Sequence, residues 1–326
     1  MSPEGVPAEP RARFGFAGTE VEPGERVEIE IPVERLATGP QITIPTIVVH
    51  GRRSGPVVSI SAAIHGDEIN GVEAIRLLLG DLRAEEIAGT LLFTPVVNEL
   101  GFTMGQRYLP DRRDLNRAFP GTPRGSLAGR IAHLFMGEVI ERCTYAIDLH
   151  CGSDSRANLP QIRADLDHPP TRACAEAFAA PMLVHAQTRD GSLRQAASER
   201  GIAMLLYEGG ESSRFDDYAI EAAHHGVLRV LNHLGTIDSS PGSSEETRTS
   251  RNTRWVRASR AGLFRADLEL GDTVSRRGVL GHLSDIFGRQ NLAVRAPMPG
   301  VVIGLARKPV VNQGDALVHV AEVEPG

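Results

Sequence analysis

Lysine is almost missing from this chain: of its 35 basic residues only Lys308 is not an arginine. That scarcity excludes a P-loop, whose phosphate cradle needs a lysine after its glycines, and it leaves Schiff-base catalysis a single candidate. Cysteine is scarce too. Cys143, Cys151 and Cys174 are odd in number and contain no C-x-x-C pair, which suits free thiols in a reducing compartment better than a disulfide framework. No apolar run approaches the length of a membrane span, and the first residues have no signal-peptide core, so a cytoplasmic protein without a membrane partner is expected. An excess of positive charge is lacking as well. A net charge of -6 and a sequence pI near 6.0 argue against nucleic acid, which is bound through clustered cations, and for a small-molecule substrate. Several catalytic signatures are also absent: no G-x-S-x-G elbow, no G-x-G-x-x-G after a strand and no H-E-x-x-H.

What is present is an alternation of strand and helix patterns. At 326 residues the chain exceeds the usual single-domain size, so a large domain and a smaller one are expected. Residues 1–24 are rich in Pro, Gly and Glu and read as a loosely ordered lead-in. Residues 27–33 alternate with period two, and 42–49 form their neighbour, an edge hairpin. Strand and helix then follow in turn: strands at 57–64, 90–97, 145–150, 159–162, 182–186 and 203–207, and helices from about 69, at 126–142, 171–179, 192–200 and 217–234. This predicts an α/β catalytic domain over 25–236 with a largely parallel sheet flanked by helices. The turn-rich stretch 237–252 reads as a linker, and the glycine-punctuated pieces over 253–326 as a small β-barrel or sandwich.

The chemistry gathers at strand ends. Ile64-His65-Gly66-Asp67-Glu68 closes one apolar run, and Tyr145-Ala146-Ile147-Asp148-Leu149-His150 ends another. Imidazole and carboxylate are ligands zinc accepts, and two histidines with a glutamate would leave a fourth position open, as a catalytic site requires. Asp148 shares a face with His150 and can orient a neighbouring group. The adjacent Cys151 reads as a buried, inert thiol and His185 as a satisfied histidine. A third strand ends in Glu208-Gly209-Gly210-Glu211; Glu208, expected to face an apolar pocket, is the candidate general base, and Glu211, past the glycines, faces solvent. Between the strands lies a polar loop, Arg107-Tyr108-Leu109-Pro110-Asp111-Arg112-Arg113-Asp114-Leu115-Asn116-Arg117. Its arginines can fork onto a carboxylate or a developing oxyanion, and Asn116 adds a directional donor.

Taken together, His65-Gly66-Asp67-Glu68, Asp114-Leu115-Asn116-Arg117-Ala118-Phe119-Pro120-Gly121, Asp148-Leu149-His150 and Glu208-Gly209-Gly210 resemble the succinylglutamate desuccinylase/aspartoacylase family, deacylases of zinc carboxypeptidase-like fold. The resemblance covers about residues 45–236. It implies one Zn2+ on His65, Glu68 and His150, with Glu208 activating water, Arg107 polarising the amide carbonyl, and Asn116 with Arg117 holding a substrate carboxylate. The loop between Arg107 and Asn116 is slightly longer than in aspartoacylases, so Arg112 and Arg113 compete for the polarising role. The tail resembles a biotinyl/lipoyl barrel, but Gly288-Arg289 stands where a carrier presents its lysine, so a carrier is not expected. The resulting expectation is a zinc-dependent deacylase of a small N-acyl amino acid or related amine. Its alternatives are a metallocarboxypeptidase acting on short peptides and a binding protein that keeps the fold. A homo-oligomer stays open.

Overall fold

The computed structural model describes residues 11–188, 190–242 and 246–324, so the first ten residues of the expected lead-in and residues 243–245 of the expected linker lie outside the described residues. The molecule is built on one large mixed sheet. Its middle holds four parallel strands in the order Ala88–Thr94, Arg53–Ala62, Tyr145–Gly152 and Ala203–Glu211. Their apolar runs are continuous because both faces are covered, as parallel sheets require; Ala88–Thr94 is buried along its whole length. Helices Asn70–Asp81, Pro169–Phe178 and Asp217–His233 cover one face, through Ile75, Leu78, Phe178, Val227 and Leu231 among others. Leu127–Glu138 and Leu193–Ser198 cover the opposite face through residues such as Ile131, Phe135 and Leu193. Ser126, Ser192 and Asp216 cap three of these helices by accepting a backbone N–H of the first turn, which sets where each helix begins.

The flanks of the sheet depart from the expected parallel order. On one side Gln41–His50 and Glu25–Arg35 form the predicted antiparallel hairpin. On the other, Arg156–Ala164 runs antiparallel to Ala203–Glu211, followed by Met182–His185 and Arg248–Ser250. The reason is loop length. Only Ser153, Asp154 and Ser155 separate Tyr145–Gly152 from Arg156–Ala164, and a parallel neighbour would need a crossover of about a dozen residues.

Two segments read as loose carry regular structure. Phe14–Phe16 and Thr19–Val21 make a small hairpin that buries Phe16 and Val21. Within the expected linker, Arg248–Ser250 adds a parallel strand beside Met182–His185. All three strands are three residues long, too short to display a period. The C-terminal part consists of two antiparallel sheets that share a core including Phe264, Leu283, Val302 and Val318. One of these sheets is continuous with the large one, because Gly300–Ala306 pairs with the start of Arg156–Ala164. Among the described residues no helix is long and apolar enough to cross a membrane.

Candidate metal centre and substrate cavity

His65 and Glu68 sit in the turn between the strand Arg53–Ala62 and the helix Asn70–Asp81. The turn is tight against its neighbour: a Cβ on Gly66 would lie 1.9 Å from the Gly101 backbone, so only glycine fits directly after His65. His150 lies near the end of Tyr145–Gly152. Three sequence-distant side chains therefore converge. His65 Nδ1 is 2.7 Å from Glu68 Oε1, His150 Nδ1 is 2.7 Å from Glu68 Oε2, and the donor atoms all fall within 4.8 Å of one another. All three residues are buried.

A second layer orients them. His65 Nε2 lies 3.1 Å from Asp114 Oδ1 and His150 Nε2 lies 2.6 Å from Asp148 Oδ2, while Ser61 Oγ donates to the other Asp148 oxygen at 2.8 Å. A carboxylate accepts only, so both nitrogens of each ring donate here, and a ring that gives up its Nδ1 proton keeps the one on its far nitrogen and turns a free Nδ1 to the centre. Burial by itself would lower both imidazole pKa values and raise the carboxylates. The facing charges outweigh it. Glu68 and Asp114 raise His65, Asp148 and Glu68 raise His150 well above the ordinary histidine value, and the two histidines hold Glu68 well below the ordinary carboxylate range. Asp114 is likewise held low, by His65 and Arg107, and Arg107 is raised by Glu68 and Asp114. Two nitrogens and one oxygen, converging at a buried point with far nitrogens already braced by Asp114 and Asp148, fit a divalent cation such as zinc.

Glu208 comes to this centre through strand pairing. It is in register with His150 on the adjacent parallel strand, so both side chains leave the sheet on one face. Its surroundings are not the apolar pocket expected from the sequence. Glu208 is half-buried and accepts a 2.8 Å hydrogen bond from Asn158 Nδ2, a donor that comes from the antiparallel strand no sequence pattern placed there. Glu211 is half-buried, with its backbone carbonyl accepting from Asn70.

Of the three competing arginines, Arg107 reaches the centre. Its guanidinium donates to Glu68 at 3.3 Å, to Ser153 Oγ at 2.7 Å and to Asp114 at 2.9 Å. Ser153 also donates to Glu68 through a very short contact. Arg112 and Arg113 are exposed, and Arg113 borders a separate hollow of about 510 Å³. Asn116 is buried; its Oδ1 accepts from the Leu193 backbone N–H at 2.9 Å, which leaves Nδ2 as its donating end. Arg117 is exposed at the cavity, donates to the Asn116 carbonyl, and among the described residues pairs with neither Asp111 nor Asp114. Asp111 lies instead 3.7 Å from Arg113.

These groups open onto a cavity of about 800 Å³. Its outer wall includes Trp255 and His319 of the C-terminal sheet, with rings stacked 4.5 Å apart, and Arg156 lies over Trp255. Ser153, Asn158, Trp255 and His319 have no sequence signal of their own: Ser153 follows His150 by three residues, Asn158 comes with the antiparallel pairing of Arg156–Ala164 to Ala203–Glu211, and Trp255 and His319 come with the pairing of Gly300–Ala306 to Arg156–Ala164. His185 Nδ1 accepts from the Leu166 N–H, and burial pushes the Cys151 thiol well up, as it pushes Cys143 to about 12 and Cys174 to about 11, so none is a ready nucleophile.

Comparison with known proteins agrees with this arrangement. Residues 54–234 match the model of the succinylglutamate desuccinylase/aspartoacylase catalytic domain. The chain is 29% identical over 296 residues to the N-alpha-acetyl-L-2,4-diaminobutyric acid deacetylase of Halomonas elongata, covering 86% of each protein. It is 33% identical over 219 residues to a succinylglutamate desuccinylase of Burkholderia orbicola, covering 61% of this chain and 55% of that one. Among solved structures, a succinylglutamate desuccinylase/aspartoacylase from Rhodobacter sphaeroides superposes with a TM-score of 0.83 at 29% identity, over 92% of this chain and 96% of its own. The product-bound ectoine utilization protein EutE (DoeB) from Ruegeria pomeroyi gives 0.83 at 25% identity over 97% of both chains. The matched segment spans more than half of the chain and contains His65, Glu68, His150 and Glu208, and the chain belongs to the succinylglutamate desuccinylase/aspartoacylase family.

Proposed function

We propose that this protein is a zinc-dependent hydrolase that removes the acyl group from a small N-acyl amino acid. The observation that carries the reading is the meeting of His65, Glu68 and His150 at one buried point, with Glu208 in register beside His150 at the mouth of a cavity large enough for a small molecule. The names of the relatives supply the reaction class: one is a deacetylase of an acetylated diamino acid, another a desuccinylase of succinylglutamate. In this reading the large sheet and its helices are a carboxypeptidase-like catalytic domain, and the C-terminal sheets are a barrel-like accessory domain. The enzyme works on a dissolved metabolite in the cytoplasm.

His65, Glu68 and His150 would hold the ion, whose chemistry is Lewis acidity towards a carbonyl and acidification of water. The side chains of this protein do the rest. Glu208 takes the proton of the attacking water and returns it to the departing amine. Asn158, donating to Glu208, aims that carboxylate. Arg107, fixed by Asp114 and Ser153, presents its charge to the carbonyl oxygen as negative charge develops there. Asn116 and Arg117 hold the substrate carboxylate beside the scissile amide. Asp114 and Asp148 keep the imidazoles in the ligating orientation.

Elemental analysis with an activity assay tests this. About one metal per chain, loss of N-acyl amino acid hydrolysis on chelation and recovery with zinc are expected; metal-free protein with chelator-insensitive hydrolysis refutes it. A second readout comes from the raised imidazoles. In the metal-free protein His65 and His150 hold protons to higher pH than free histidine does, and ligation requires neutral rings. Adding zinc near pH 7 should therefore release protons, and zinc should bind more weakly as pH falls. Calorimetry in buffers of different ionisation enthalpy measures that release. Dipeptides assayed beside the N-acyl panel separate this reading from a carboxypeptidase, which would prefer the peptides.

A further inference from the structure

Helix Asn70–Asp81 begins two residues after Glu68, and its first residue is an unusual choice for that place. Asparagine is a poor helix former, and its side chain gives this helix no cap: Ile69 stands at the N-cap, and no side-chain bond closes the first turn. Asn70 is nevertheless only 1% exposed, and both ends of its amide are committed elsewhere. Nδ2 donates to the Glu211 carbonyl and Oδ1 accepts from the Asp216 N–H, each at 2.9 Å. The Asp67 carbonyl, one residue before Glu68, also accepts from the Ser213 N–H at 2.8 Å. The turn that carries two of the metal-ligand candidates is thereby fastened to the segment that follows the candidate base.

That segment needs fastening because the sheet stops holding it at Glu208. Glu208 is in register with His150 on one side and Gln161 on the other, but the ladder slips on both sides directly after it. Against Tyr145–Gly152, Gly209 and Gly210 together face the single residue Cys151 before pairing resumes at Glu211 and Gly152. Against Arg156–Ala164, pairing resumes at Gly210 and Asn158, the residue that donates to Glu208. A bulge of this kind bends its strand and re-aims the side chains beside it. Gly210 adopts a φ of 76°, and a Cβ there would stand 2.8 Å from Asn70 Nδ2, so the amide lies against the bulge itself.

We infer that Asn70 is a positioning residue, which holds the bulge at Gly209-Gly210 and through it sets the aim of Glu208 towards the metal centre. The inference rests on the deacylase reading, in which Glu208 is the base. Asn70 is not among the residues that line the cavity, so it reaches the reaction through the groups it holds and not through the substrate.

The test uses the full, zinc-loaded chain, an N-acyl amino acid that the wild type hydrolyses, and a double-mutant cycle with Glu208→Gln. Asn70→Ala should lower kcat by about ten- to a hundredfold, with KM within about twofold and zinc content unchanged, because moving a reacting group by about 1 Å costs up to about a hundredfold. In the Glu208→Gln background the same substitution should cost less than about twofold, since a base already removed has no aim to lose. Rates taken per zinc-loaded chain, with a melting curve for each variant, separate this from reduced folding. Asn70→Asp keeps the size of the side chain and its bond from the Asp216 N–H and loses only the donation to Glu211. It should show the same split, and it carries the test should Asn70→Ala not fold. An equal loss in both backgrounds would make Asn70 a brace of the fold, and a fall in zinc content would place its action on the metal ligands; either result overturns the inference and leaves the deacylase reading intact. Hydrolysis of none of the N-acyl substrates by the wild type overturns both.

Discussion

The inner and outer ends of the cavity are built on opposite principles. At the inner end Glu68, His65, His150, Asp114, Asp148 and Arg107 pair with one another in a closed, buried network, and every pKa shift resolved there has a named partner. At the outer end exposed Arg117 and half-buried Arg163 and Trp255 line the cavity from separate elements, with His319 stacked behind Trp255. Networks of the first kind exclude water and fix geometry, which reacting groups need. Loosely partnered groups of the second kind can exchange water for ligand, which recognition needs. Chemistry and selectivity should therefore fail separately when each end is damaged.

Glu208→Gln should cause the largest failure, with kcat down by about a hundred- to ten-thousandfold, metal content intact and KM little changed, because the amide keeps the shape and cannot take a proton. Steady-state kinetics beside zinc analysis decides it; a change confined to KM would move Glu208 to the outer, binding class. Arg117→Ala should come next. Losing a charge-assisted hydrogen bond lowers kcat/KM by about ten- to a few-hundredfold for substrates with the adjacent carboxylate, and much less for their neutral analogues. Equal losses on both substrate types, together with a lower melting temperature, would make Arg117 a brace for its loop. Trp255→Ala should have the smallest effect, a rise in KM of about two- to tenfold with kcat and metal content preserved, since an aromatic contact contributes about 0.5–1.5 kcal/mol. A loss of bound metal in that variant would erase the distinction between the two ends.

The inner end was the more legible from sequence, for a physical reason. Its side chains close apolar runs, so a strand, a strand end and a polar side chain can be read together at His65, His150 and Glu208. Arg107 was legible only as one of three arginines, because a loop without a period gives no direction to its side chains; the bonds to Glu68, Ser153 and Asp114 select it. The polar surroundings of Glu208 have no local signal, because Asn158 arrives from an antiparallel neighbour. The outer end was scarcely legible. Trp255 and His319 look like ordinary residues of short C-terminal strands, and Arg163 like one arginine among many.

Sequence alone determined the α/β alternation, the three candidate metal ligands, the candidate base and the family, since each depends on residues next to one another in the chain: period, strand end, motif. Only the tertiary structure decided which arginine meets Glu68, that the sheet is mixed, that the Gly300–Ala306 strand brings a C-terminal wall to the cavity, and that Arg163 lines the same cavity. Those features depend on pairing between strands far apart in sequence. Such pairing is set by the burial of both sheet faces at once, and no local window of residues records it.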